Sequence, residues 1–133
     1  MLAKLAISWR AKKQTTVALS TIEFEYHALS PVIKEAIWLQ NLLKDLYMAK
    51  YTPKVINCDN QGAIALAKNP THHARTKHIE IELHFIRDHV KHGTIELKYY
   101  LTEDMIADIM TKALARDRHV RLMGLMELET TTP

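Results

Sequence analysis

At 133 residues the chain can bury the core of one domain but is too short for two ordinary ones. With 47% hydrophobic and 25% charged residues it is globular rather than disordered, and a net charge of +3 leans only weakly toward a polyanionic partner. A single cysteine excludes an intrachain disulfide, and no apolar run approaches the ~20 residues of a membrane span. The opening Met1–Ile7 is too short for a signal peptide, so the expected location is intracellular, cytoplasmic or nuclear, with no membrane partner.

In chain order, Leu5 to Arg10 alternates as a strand, with Ile7 and Trp9 on one side. Ser20 and Glu23 form a capping box that opens a long helix, with Ile22, Tyr26, Leu29, Ile33, Ile37, Leu43 and Leu46 at helical spacing. Pro31 interrupts that run, and predicts either a kink or a second helix capped by Ser30. Val55 to Cys58 reads as a short buried strand, after which Asp59 or Asn60 caps a helix that stops near Asn69, before Pro70. Thr71 to Thr76 is a polar, basic loop, and a third helix runs from about His78 to His92 with Gly93 as its stop. Thr94 to Tyr100 alternates in period two, and Thr102 is the expected cap of a helix through Met105, Ile106, Ile109 and Met110. A last helix spans about Asp117 to Met126. Residues 1–128 therefore read as one partial domain and 129–133 as a disordered tail.

This alternation argues for a mixed α/β layer with parallel crossovers, although only about three strands are in view. Three acidic residues stand where strands and helices meet: Glu25, Asp59 and Asp108. Asp59 is the most telling, because the end of a buried strand is where an α/β sheet presents ligand and metal groups.

Several segments match one family: Ser8–Gln14, Val17–Thr21 through Glu25-Tyr26, Cys58–Gln61 with Ala63–Pro70, His73–Ile79, His84–Arg87, and Thr102–Asp104 with Ala107–Ile109 and Thr111-Lys112. Over about residues 7–125 the chain resembles the ribonuclease H domain of a copia-type LTR retrotransposon Pol polyprotein. The resemblance implies a ribonuclease H-like three-layer α/β fold with a mixed sheet. It also implies Mg²⁺-dependent hydrolysis of the RNA strand of RNA–DNA hybrids, with Mn²⁺ as the alternative ion. By motif, Glu25, Asp59 and Asp108 match three of the family's four catalytic metal ligands. Asn60, Arg75, Lys77 and His78 are candidates for nucleic-acid contact, and the reverse transcriptase domain upstream in the polyprotein is the implied protein partner.

In the family the fourth ligand is an aspartate on the first strand. No acidic residue precedes Glu23 here, so the expectation is a domain lacking its first strands, with hydrolysis weak or lost. Two other readings compete: a non-catalytic nucleic-acid-binding relic, and a helical protein-interaction remnant. Plainer roles stand beside each site residue. Glu25 fits a surface glutamate, Asp59 a cap and Asp108 an exposed polar face, while Glu23, Glu103 and Asp104 read as caps and helix-dipole partners. Lys12, Lys13 and Lys112 fit either phosphate tracking or ordinary surface charge. The clustered histidines, including His89 and His92, lack a zinc-ligand pattern and read as a solvated helix face. Cys58 reads as an inert buried thiol, and Trp9, Trp38 and Tyr26 as core.

Overall fold

The computed structural model describes residues 8, 11, 21–52, 54–69 and 77–126. They fall into two compact units, one Val17–Tyr99 and the other Met1–Thr16 with Tyr100–Pro133. The strand expected over 5–10, the Ser20 cap, Arg75 and the 129–133 tail lie outside the described residues.

The first unit begins with α1, Thr21–Asp45. Its buried side chains, Tyr26, Leu29, Ser30, Ile33, Ala36, Gln40 and Leu43, follow the i, i+3, i+4, i+7 pattern, which places them on one stripe. That stripe answers the question posed by Pro31. The helix runs through the proline, and Ser30 lies inside it, 1% exposed, instead of capping a second helix. Proline removes the bond to the His27 carbonyl and costs about 3 kcal/mol in a helix interior. Burial of apolar residues on both sides of it, at ~1.5–3 kcal/mol per large side chain, outweighs that. The helix ends in a Schellman turn in which Tyr47, at φ 59°, takes the left-handed position; Met48 N–H bonds Leu43 O and Tyr47 N–H bonds Lys44 O.

After a 3₁₀ turn at Ala49–Tyr51 comes β1, Val55–Cys58, then α2, Gln61–Lys68, α3, Lys77–Lys91, and β2, Glu96–Tyr99. The two strands pair in parallel, Val55 opposite Glu96 and Cys58 opposite Tyr99, so α2 and α3 together form the crossover that a parallel pair requires. Ile56 and Cys58 of β1 and Leu97 of β2 point into the core with Tyr26, Ile33 and Ile86, and α1, α2 and α3 pack on one another around them. Val55 is 49% exposed, so the short buried strand expected at 55–58 is buried on one face, through Ile56 and Cys58. Trp38 is also a correction: it sits 57% exposed on α1, on the side away from the buried stripe. Gly93 terminates α3 as expected, with φ 67° and a second Schellman pair, Thr94 N–H to His89 O and Gly93 N–H to Val90 O.

The second unit holds 3₁₀ turns at Thr102–Asp104 and Ile106–Met110, followed by α4, Arg116–Leu125. The single α-helix expected after Thr102 does not form, and Thr102 makes no cap bond. The reason lies in the carbonyls. Those of Thr102 and Glu103, which an α-helix would offer to amides four residues on, accept from the guanidinium groups of Arg118 and Arg121 on α4. The fold is mixed α/β, mostly helical, with a small parallel sheet. Among the described residues no helix is long and apolar enough to cross a membrane.

Candidate functional site

At the C-terminal end of β1 the chain turns sharply through Asp59 into α2. Asn60, not Asp59, is the cap: its Oδ1 accepts from Ala63 N–H at 3.0 Å. Asp59 is thereby left half-buried at the strand end with its carboxylate uncommitted to capping. Arg87 of α3 closes the other end of α2, donating to Leu66 O at 3.1 Å and to Asn69 O at 2.5 Å, so α2 is pinned at both termini.

Glu25 comes from α1, half-buried, and its helical turn is fixed to α3 by its two neighbours. Tyr26 donates its hydroxyl to Leu83 O at 3.2 Å, and His27 Nδ1 meets Glu82 Oε2 at 2.5 Å. The two carboxylates meet electrostatically at Cys58. That thiol is pushed above its ordinary value first by burial, opposed by its bond to Asn60 O at 3.6 Å, and raised further by the negative charges of Glu25 and of Asp59. Glu25 and Asp59 each adjoin in sequence a member of one buried cluster, Tyr26 of α1 and Cys58 of β1.

This arrangement has a consequence at alkaline pH. Burial also raises Tyr26, with Arg87 opposing and Glu82 adding to the shift. Below the ordinary values, 9.0 for the thiol and 10.0 for the phenol, folded and unfolded chains hold these protons alike and the stabilisation is whole. Above them the unfolded chain releases protons that the folded chain retains, so stability falls as pH rises from 9.0 toward the higher folded values. Urea unfolding followed from pH 7 to 11 should show that decline, and Cys58→Ala with Tyr26→Phe should flatten it. A wild-type curve level above pH 9 would contradict the burial of both groups.

Asp108 is found in the second unit. It is buried at 4% exposure, with Lys112 Nζ 2.7 Å from Oδ1 and Arg118 Nη2 2.6 Å from Oδ2. It is no exposed polar face. Arg118 also donates to the carbonyls of Thr102 and Glu103, while Arg121 donates to Glu103 O at 2.6 Å and pairs with Asp104 at 3.0 Å. Lys112, a candidate phosphate tracker by sequence, is thus bound to a carboxylate. The Asp108–Lys112 spacing of four was readable as a helical ion pair; nothing in the sequence pointed to Arg118 or to the His27–Glu82 contact. Of the nucleic-acid candidates, Lys77 and His78 open α3, and Asn60 is committed to its cap. His92 Nδ1 lies 2.7 Å from Asp88 O, and His89 packs edge-on against Phe85.

Among the described residues, neither unit gathers three His, Cys, Asp or Glu side chains into a metal-holding group. The donor chemistry at the end of β1 does fit a hard divalent ion. Asp59 at the strand end and Glu25 on the neighbouring α1 are hard oxygen donors of the kind such an ion prefers.

Fold and site define a mixed α/β segment with a half-buried aspartate at the end of a parallel strand. Its relatives are retrovirus-related Pol polyproteins of transposons. The chain is 43% identical over 110 residues, 83% of its length, to that of transposon RE1 of Arabidopsis thaliana, and 42% identical over the same span to that of RE2. It is 43% identical over 115 residues, 85% of its length, to that of transposon TNT 1-94 of Nicotiana tabacum. In each case it spans about 8% of the relative's length. No family model and no solved structure matches the chain. The homology supports a retroelement-derived domain.

Proposed function

We propose that the chain is a ribonuclease H-type domain of a copia-type Pol polyprotein, in which Glu25 and Asp59 are ligands for Mg²⁺ and Asp108 is a further ligand. The observation that carries this reading is that the half-buried Glu25 and Asp59 stand next in sequence to Tyr26 of α1 and Cys58 of β1, two members of one core cluster. The homology to Pol polyproteins supports it from a separate direction. When bound, Mg²⁺ supplies Lewis-acid activation of water and charge neutralisation at a phosphodiester. The chain's own part is to hold oxygen donors rigidly: α1 through Tyr26 and His27 against α3, and β1 through its ladder with β2. The substrate is the RNA strand of an RNA–DNA hybrid, and the partner is the remainder of the polyprotein, its reverse transcriptase included. With no acidic residue before Glu23 to act as a fourth ligand, the isolated 133-residue chain is expected to hydrolyse hybrid weakly or not at all.

Metal binding is therefore the sharper test. In a Mg²⁺ titration followed by side-chain carboxylate NMR, the Glu25 and Asp59 resonances should shift together with one midpoint. Glu25→Gln or Asp59→Asn should each weaken the remaining response at least about tenfold, the loss expected for one anion near a divalent ion. Any slow cleavage of labelled hybrid by the wild type should vanish in Asp59→Asn. Silence at both carboxylates in saturating Mg²⁺ would sink the reading. If hybrid were still bound, and binding weakened steeply with salt, the non-catalytic binding module would take its place.

A further inference from the structure

Helix α1 carries two apolar stripes, and the core uses only one of them. Opposite the buried stripe, Phe24, Pro31, Trp38, Leu42 and, in the turn beyond Asp45, Leu46 fall on one line at i, i+7, i+14, i+18 and i+22. Phe24, Trp38, Leu42 and Leu46 are 38–57% exposed, and Val32 beside them is exposed as well. Glu35 is the one charged residue on that line, where a solvated helix face ordinarily carries several. One exposed leucine needs no account, but a line of aromatic and leucine side chains along a 25-residue helix does. At 1.5 Å per residue and a width of about 10 Å the stripe offers on the order of 400 Å², the size of the largest and often functional patch on a monomer.

We infer that the outer stripe of α1 is a docking face for an apolar surface on the remainder of the Pol polyprotein, with Trp38 and Leu42 at its centre. The inference rests on the reading of that remainder as the chain's partner and makes no use of the metal reading. Two observations favour this occupant over a second copy of the chain. The chain spans about 8% of each relative's length, so in those polyproteins the equivalent segment is joined to a far larger body. The stripe also offers only about half of the ~800 Å² per partner found in stable interfaces between free molecules. Covalent joining supplies an effective concentration of about 1 mM, at which so small a face is enough. Two separate copies have no such advantage.

The test mixes the full 133-residue chain, labelled with 5-fluorotryptophan, with the Pol polyprotein of transposon RE1 from which the matched 110 residues are deleted. Trp38→Phe assigns one of the two tryptophan fluorine resonances. That resonance should shift and saturate, with a midpoint below about 1 mM, the concentration that joining supplies. Leu42→Glu should weaken the titration at least about tenfold, the loss expected at a central apolar anchor. Ile81→Glu, at an exposed position of α3, should leave it unchanged. Both variants should unfold in urea at the wild-type midpoint, which separates a lost contact from a lost fold. Binding untouched by Leu42→Glu would overturn this inference and leave the polyprotein as partner. No binding at all would remove both. Sedimentation of the chain alone should show a monomer, and a dimer that Leu42→Glu disperses would put a second copy on this face instead.

Discussion

Tyr26→Ala is expected to destabilise the Val17–Tyr99 unit by about 3–5 kcal/mol, the range for removing a buried aromatic ring. Tyr26 is fully buried in the cluster that joins α1 to β1, α2 and α3, and its hydroxyl is satisfied by Leu83 O. Truncation opens a cavity between α1 and α3 at the turn that carries Glu25. Tyr26→Phe keeps the ring and loses only the hydrogen bond, a cost of about 1 kcal/mol. Trp38→Ala is the control: a larger side chain removed from an exposed face should change stability by within about 0.5 kcal/mol. Urea denaturation of the three variants gives the order directly. If Trp38→Ala cost more than Tyr26→Ala, the assignment of faces on α1 would be wrong. The Mg²⁺ response of Glu25 should degrade in Tyr26→Ala and survive in Tyr26→Phe.

Arg118→Met should be the most damaging change in the second unit, at about 3 kcal/mol. It leaves a carboxylate of 4% exposure with only a half-exposed lysine as counter-charge, and takes one of two donors from each of the Thr102 and Glu103 carbonyls. The methionine matches most of the apolar stem, so the loss reads the guanidinium rather than packing. Hydrogen exchange should quicken across residues 102–110 and in α4, around the buried Leu122. Arg118→Lys should rescue little. Exchange rates in Arg118→Lys equal to those of the wild type would show that a point charge suffices and that the fork geometry is irrelevant.

These two side chains mark how far local pattern reaches. Tyr26 was legible as core because its spacing with Leu29 and Ile33 repeats the helical period. Trp38, a core candidate by residue type, stands by its register on α1 opposite that stripe and is exposed. Gly93 announced the end of α3, since glycine accepts a positive φ without strain. The equivalent turn after α1 uses Tyr47, for which no residue preference gives a signal. Asp59 and Asn60 were interchangeable as caps by type, and the fold uses Asn60, whose side chain accepts from Ala63 N–H. That choice left Asp59 for another role.

By itself, the order of residues determined the element sequence from α1 to β2, the parallel crossover through α2 and α3, and the identity of the acidic residues at the element ends. Periodicity, caps and a glycine stop act within a few residues, so they can be read along the chain. Only tertiary structure decided that the helix passes through Pro31, that Thr102–Met110 winds as 3₁₀ turns, that Glu25 and Asp59 act on one thiol, and that Asp108 is buried between Lys112 and Arg118. Each of these depends on burial or on a donor that the fold brings in from elsewhere. A stripe packed on α3 outweighs a proline, and guanidinium groups from α4 hold the carbonyls of the 3₁₀ turns, and neither partner is written in the segment it reshapes.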